Sequence, residues 1–244
     1  MKTNDLILIA MNAALYAAFG YMTSLGIFAP IFGVVRFWPS VIVPAVFGVL
    51  FGPKVGAIGA ALGIFVSDMA IHGNALLSLS VGVPSNFIAF YILSYLARKR
   101  LNKREITFFL ASISSTILLV VYLYFASLMD FVVFTLFLTI DIVSVLIVVF
   151  LGYIKPRWLS YGIASLLGLL IGSTIIGFGV WIFSQFFILP SGEMALPLYA
   201  AFVWLTWTFS TEIPFLIMLG PPILEACFLA FPSMKPESYR REKQ

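Results

Sequence analysis

Long apolar runs alternate with short polar segments along the whole chain. Several runs reach the roughly 18 residues that an α-helix needs to cross the hydrocarbon core of a bilayer. Segments of about ten residues with alternating polarity, which are typical of outer-membrane barrels, do not occur. The pattern predicts an all-α, polytopic transmembrane helix bundle that forms a single domain over residues 1–244. The eight apolar segments are Leu6–Thr23, Phe37–Phe51, Val55–Ile71, Val83–Ala97, Ile106–Leu128, Phe131–Tyr153, Trp158–Phe187 and Pro197–Phe231.

Two of these segments depart from a simple straight span. The second is short and carries Pro39 and Pro44. The eighth is too long for one straight crossing, and we expect Pro214 and the pair Pro221 and Pro222 to kink or break it. The segments therefore predict six to eight spans.

The composition supports membrane insertion and offers little catalytic chemistry. Hydrophobic residues make up 62% of the chain and charged residues 10%, whereas a soluble domain carries about 25% charged residues. The single cysteine, Cys227, excludes an intrachain disulfide. One histidine, scattered carboxylates and the absence of zinc-protease, serine-hydrolase and Walker A motifs predict no catalytic residue, no metal site and no cofactor. We therefore expect a protein that is not an enzyme.

Lysine and arginine residues cluster in alternate polar segments. If the N-terminus is cytoplasmic and all eight segments cross, every Lys and Arg except Arg36 lies on the cytoplasmic side. Such a bias sets the orientation of membrane proteins. We therefore expect a multi-pass protein of the cell membrane with both termini, including the tail 232–244, in the cytoplasm. The net charge of +4 then requires no nucleic-acid partner.

The external connections of this topology carry candidate substrate-binding residues. The stretch HGNALLSLSVGVPSN is rich in glycine, serine and proline. This composition favours a loop that folds over a site, with ordinary turn chemistry as the alternative. The candidates in or beside the external connections are Arg36, His72, Asn74, Asn86 and Glu193.

Four carboxylates interrupt the apolar runs, namely Asp68, Asp141, Glu212 and Glu225. Burying a charge inside a span costs at least about 2.5–3.5 kcal/mol on insertion scales, so such residues usually face a cavity or a partner. Asp68 precedes His72 by one helical turn. The two would either line an outward pocket or form a simple pair that caps the helix end.

Aromatic residues accompany two of the charged candidates. Trp204 and Trp207 lie one to two turns before Glu212, which predicts either an aromatic wall of a small-molecule site or an interfacial belt. Arg36 stands just before Trp38. It would hold either a substrate carboxylate or phosphate, or lipid headgroups.

The first segment carries small residues at helical spacing. Alanines that recur every four residues fall on one face of a helix. In lipid, such a face lets another helix approach closely. It would serve either packing inside the monomer or docking of another membrane protein. The residues are Ala10, Ala14 and Ala18, with Ala13 and Ala17 beside them.

Three motifs carry a resemblance to a known family. They are ALYAA in the first segment, FGVLFGPKVGAIGAALGIFVSD over the second and third, and HGN…GVPSN after the third. Together they resemble the substrate-binding S components of energy-coupling-factor (ECF) transporters. The resemblance covers mainly residues 10–97, so 1–98 would form an S-component-like N-terminal half. It implies that 106–153 is an added helical hairpin and that 158–231 holds the last helices.

The resemblance implies a role in import. An S component captures a vitamin or related micronutrient from outside and docks on a transmembrane T component, which two cytoplasmic ATPase subunits drive. The alanine face of the first helix would form the docking surface. The lack of a Walker motif agrees with ATP hydrolysis by such partners.

Two other classes of function stay open on the sequence. One is a stand-alone, proton-coupled secondary transporter of a small metabolite that uses Asp68, Asp141 or Glu212 as a relay. The other is an intramembrane enzyme. The five tryptophans and 25 phenylalanines suit a flat substrate ring. The acidic residues favour a cationic substrate, whereas Arg36 favours an anion.

Overall fold

Every regular element in the part of the chain that the structure describes is helical. The computed structural model describes residues 3–24, 38–99, 101, 103–236 and 239. The all-α prediction is thus confirmed for these residues. Two 3₁₀ turns, Pro39–Val41 and Pro232–Met234, accompany the helices. The helices are α1 Thr3–Ser24, α2 Ile42–Phe51, α3 Pro53–Ile71, α4 Ala75–Ala97, α5 Lys103–Phe125, α6 Phe131–Ile154, α7 Pro156–Phe186 and α8 Tyr199–Ala230.

Six of these helices are long and apolar enough to cross a membrane. They are α1, α3, α4, α6, α7 and α8. The stretch Pro39–Phe51, which ends in α2, is shorter, as is the described apolar part of α5, Ser114–Phe125. A helix of 13 residues spans only about 20 Å, against about 30 Å of hydrocarbon. The structure thus confirms a multi-pass membrane bundle with six candidate spans among the described residues.

The connection between α3 and α4 is much shorter than the sequence predicts. We expected a loop over 72–82, but α4 already begins at Ala75, because the Asn74 side chain accepts a hydrogen bond from the Leu77 N–H and caps the helix. The segment Ser78–Gly82 then forms a π turn inside α4. Pro84 lacks the N–H that would bond the carbonyl four residues earlier, so a wider turn fits here.

Helix α7 is packed closely between α4 and α8. A Cβ atom on Gly168 would lie 2.7 Å from the carbonyl oxygen of Ala89 in α4. One on Gly172 would lie 2.8 Å from the Ala89 Cβ. Small residues let helix backbones approach each other in lipid, so these glycines set the distance between α4 and α7.

Helix α1 packs against α3 through one polar side chain and glycines. The Asn12 Nδ2 donates to the carbonyl oxygens of Val55 (3.0 Å) and Gly56 (3.3 Å). A Cβ on Gly63 would lie 2.8 Å from the carbonyl oxygen of Ala13. The small-residue face of α3 therefore serves packing inside the bundle.

The three prolines of α8 do not end the helix. We expect Pro214, Pro221 and Pro222 to kink or break the last segment. A break does not occur, since α8 runs continuously for 32 residues through all of them. Transmembrane helices tolerate proline where neighbouring helices support the backbone. Between Pro214 and Pro221, the Tyr161 hydroxyl of α7 donates to the Leu216 carbonyl oxygen at 3.0 Å, which joins α8 to α7 at this point.

Basic residues gather at one end of the bundle. The Arg98 guanidinium donates to the carbonyl oxygens of Val49 (2.5 Å) and Leu50 (3.3 Å), which ties the end of α4 to the end of α2. Nearby helix ends are joined by ion pairs of Glu225 with Lys155 and Arg157. We refer to this side as the basic end. Its residues are Lys54, Arg98, Lys99, Lys155 and Arg157.

Candidate functional site

A cavity of about 120 Å³ lies between α1, α3, α4, α7 and α8. One water molecule needs roughly 10–15 Å³ on this measure, so the cavity is large enough for a small organic molecule. The C-terminal end of α3 and the beginning of α4 form part of its wall, at the end of the bundle opposite the basic end. The lining residues are Tyr16, Trp38, Ile64, Asp68, His72, Leu77, Val81, Gly82, Ser85, Asn86, Ala89, Phe90, Leu169, Gly172, Ser173, Ile176, Val180, Thr208 and Glu212.

A chain of hydrogen bonds fixes the aromatic wall of the cavity. The Trp38 indole N–H donates to the Tyr16 hydroxyl at 3.0 Å, and that hydroxyl donates to Asn86 Oδ1 at 2.7 Å. The Asn86 amide in turn donates to the Gly82 carbonyl in the π turn at 3.0 Å. The Tyr16 ring meets Trp38 and Phe90 edge to face, with centroids 6.3 and 6.1 Å apart. Three chain segments are thereby held in one geometry.

Asp68 is anchored on both of its carboxylate oxygens. Ser78 donates to Oδ2 at 2.6 Å, and His72 Nε2 lies 3.4 Å from Oδ1. The backbone N–H of Asn74 donates to His72 Nδ1 at 3.1 Å. A Cβ on Gly82 would lie 2.8 Å from Asp68 Oδ2, so the π turn needs glycine where it approaches this carboxylate.

Glu212 enters the cavity wall from α8 and differs from Asp68. It is only 8% exposed, and no described side chain or backbone group gives it a hydrogen bond or an opposite charge. Two hydroxyl groups of the wall, on Ser173 and Thr208, also have no hydrogen-bond partner among the described residues. These three polar groups lie in the cavity wall, within reach of a molecule that enters the cavity.

The structure brings five of the predicted site residues to this cavity, namely Trp38, Asp68, His72, Asn86 and Glu212. Asn74 lies beside it, where it caps α4 and fixes His72. Glu193 lies in the exposed connection between α7 and α8, where its carboxylate accepts from Ser191. Arg36 lies outside the described residues.

The two predicted tryptophans of α8 do not line this cavity. Trp204 and Trp207 are buried in another apolar cluster, where Trp207 meets Phe137 of α6 edge to face at 5.2 Å. Glu212 follows Trp207 by five positions, which places the two side chains about 140° apart around a helix. Thr208, four residues before Glu212, shares the cavity side instead.

Sequence reasoning missed Tyr16, Phe90, Ser173 and Thr208 as lining residues. A signal for Tyr16 was present, because Asn12 and Tyr16 stand one helical turn apart as polar groups within an apolar span. Polar groups inside spans usually face the bundle interior, so these two residues indicate which face of α1 points inward.

The predicted docking alanines divide between two sides of α1. Ala10, Ala14 and Ala18 are exposed. Ala13 is half-buried and Ala17 is buried at 8% exposure. The first three therefore form the outward face of α1 in this bundle.

No family model matches the chain, and no curated protein or solved structure shows significant similarity to it. The resemblance to ECF S components therefore rests on the sequence motifs alone.

Replacing Tyr16 by phenylalanine tests the hydrogen-bond chain. Tyr16→Phe leaves the buried Trp38 N–H without an acceptor and Asn86 without a donor. We expect a loss of about 1–3 kcal/mol in the free energy of unfolding, measured by thermal unfolding in detergent. Tyr153→Phe, at a position 91% exposed, is the matched control and should change nothing. Equal stability of both variants would contradict the role of the chain.

Proposed function

We propose that the chain is the membrane-embedded substrate-binding subunit of an ECF-type importer. It captures a vitamin or related micronutrient from outside in the cavity between α1, α3, α4, α7 and α8. The observation that carries this proposal is a cavity inside an apolar bundle whose wall holds buried polar groups without partners among the described residues. Small-molecule sites have this character, since a few fixed polar groups in an apolar pocket provide specificity.

The positions of the charges support uptake from outside. The cavity lies at the end of the bundle opposite the basic end. By the positive-inside rule, the basic end faces the cytoplasm. The cavity then lies toward the exterior face of the cell membrane, which is where an importer first meets its substrate.

The contacts around His72 support binding rather than catalysis. Its Nδ1 accepts a backbone N–H and its Nε2 faces Asp68. The nearby Ser78 hydroxyl donates to Asp68 rather than to His72. Nucleophilic catalysis needs a base within hydrogen-bond reach of the nucleophile, and this pair lacks that arrangement.

The outward face of α1 and the absence of a nucleotide-binding motif support the proposed partners, a T component and two ATPase subunits. Ala10, Ala14 and Ala18 offer a small-residue surface to a transmembrane T component. Two cytoplasmic ATPase subunits would then supply the energy, since the chain holds no Walker A motif. The lipid bilayer covers the other outward faces.

One observation favours the alternative of a stand-alone, proton-coupled secondary transporter. Asp141 of α6 is 1% exposed, and its carboxylate faces Ser210 of α8 outside the cavity wall. A buried carboxylate within a span is a candidate for a proton relay. Such a relay would run beside the cavity on the far side of α8.

A narrowed cavity tests the binding function. We expect native mass spectrometry of the purified wild-type protein to find a co-purifying small molecule. Ser173→Leu fills part of the cavity and should remove that molecule. Thr135→Leu, on the exposed side of α6, is the control and should retain it. Retention of the same molecule in folded Ser173→Leu protein would contradict binding in this cavity.

A bulky substitution on α1 tests the partnership. Ala14→Trp should leave ligand binding intact but abolish ATP-driven uptake, because the large ring prevents close helix approach. Leu146→Trp, on an exposed face of α6, is the matched control. Uptake is measured in cells with and without co-expressed T and ATPase components. Uptake without those components, abolished when the proton gradient collapses, would instead support the secondary transporter.

A further inference from the structure

The cavity is acidic among its described lining residues. Asp68 and Glu212 contribute two carboxylates, and no lysine or arginine is present in the described part of the wall. Both residues line the same cavity as Tyr16. A molecule bound there would lie near both carboxylates.

His72 does not neutralise Asp68 with a full positive charge. The Asn74 N–H donates to His72 Nδ1 at 3.1 Å, so this nitrogen offers a lone pair and carries no proton. The proton of the neutral ring then sits on Nε2, which faces Asp68 Oδ1 at 3.4 Å. Asp68 is thus held as a hydrogen-bonded carboxylate, with Ser78 on its other oxygen.

Glu212 has a greater need of a partner than Asp68. It is more than nine-tenths buried, and no described group pairs with it. An isolated carboxylate in an apolar region is unfavourable unless it is paired or protonated. Since Glu212 lies in the cavity wall, a molecule bound in the cavity would lie within its reach.

The aromatic part of the wall suits a flat ring. The Tyr16 ring meets Trp38 and Phe90 edge to face, and the hydrogen bond from Trp38 to the Tyr16 hydroxyl fixes the first of these pairs. Aromatic faces also attract cations. The carboxylates and the aromatic rings around the cavity both favour a positively charged ligand.

We infer that the cavity binds a small organic cation, with a flat apolar ring against the aromatic wall and a protonated amine or quaternary nitrogen facing Glu212 and Asp68. This inference rests on the proposed binding function and adds the chemical class of the substrate. The cavity volume corresponds to a molecule of about ten non-hydrogen atoms.

Three probes of nearly equal shape and different charge test this inference. Benzylamine is cationic at neutral pH, benzyl alcohol is neutral and benzoate is anionic. Each is added to the purified protein, and binding is followed by thermal stabilisation and by tryptophan fluorescence, since Trp38 lines the cavity. We expect benzylamine alone to stabilise the protein. Equal or stronger effects of benzyl alcohol or benzoate would overturn the inference.

The role of Glu212 is tested by an isosteric substitution. Glu212→Gln keeps the shape of the side chain and supplies an N–H donor in place of the O–H of a protonated carboxyl group. It cannot carry the negative charge of a carboxylate. We expect it to weaken benzylamine binding at least about tenfold. Asp141→Asn, a buried carboxylate outside the cavity wall, is the matched control and should bind like the wild type. Undiminished binding by Glu212→Gln would overturn the inference.

If Glu212→Gln does not fold, the comparison of the three probes on the wild type decides the charge of the ligand. Two further results keep this inference separate from the proposed function. If a neutral or anionic molecule co-purifies and is lost in Ser173→Leu, the cation is wrong and the binding function stands. If Ser173→Leu retains every co-purifying molecule, the binding function itself fails.

Discussion

A polar group inside a bilayer must find its partner within the protein, and this constraint organises the whole bundle. The Trp38–Tyr16–Asn86 chain meets it by joining α1, the start of α2 and the π turn of α4 through consecutive hydrogen bonds. Asn12 meets it between α1 and α3. Each of these bonds satisfies a buried group and at the same time sets the position of a helix.

At the cavity the same constraint is partly unmet. Glu212, Ser173 and Thr208 lie in its wall without partners among the described residues. Poor packing does not account for the space, because Gly168 and Gly172 bring α7 closely against α4 beside it. Polar groups that face an open space inside an otherwise apolar bundle have the character of a small-molecule site, which supports the proposed binding function.

The sequence predicted the residues of the site better than their arrangement. Helix periodicity is local, so the one-turn spacing of Asp68 and His72 was enough to place both on the same side. The bond from Ser78 to Asp68 depends on the π turn, which has no clear signature in a single sequence. The side of α8 that faces the cavity depends on how α6 and α7 pack around it, so the sequence alone does not show that Glu212 lines the cavity while Trp207 packs away from it.

The account depends on the cavity and the basic end facing opposite sides of the membrane. The direct measurement is labelling of intact cells with a membrane-impermeant maleimide, in a Cys227→Ala background. Ser191→Cys lies in the exposed connection at the cavity end, and Ser233→Cys follows α8 at the basic end. We predict that Ser191→Cys reacts in intact cells and Ser233→Cys only after permeabilisation. Labelling of Ser233→Cys from outside, with Ser191→Cys protected, would contradict an importer that receives its substrate in this cavity.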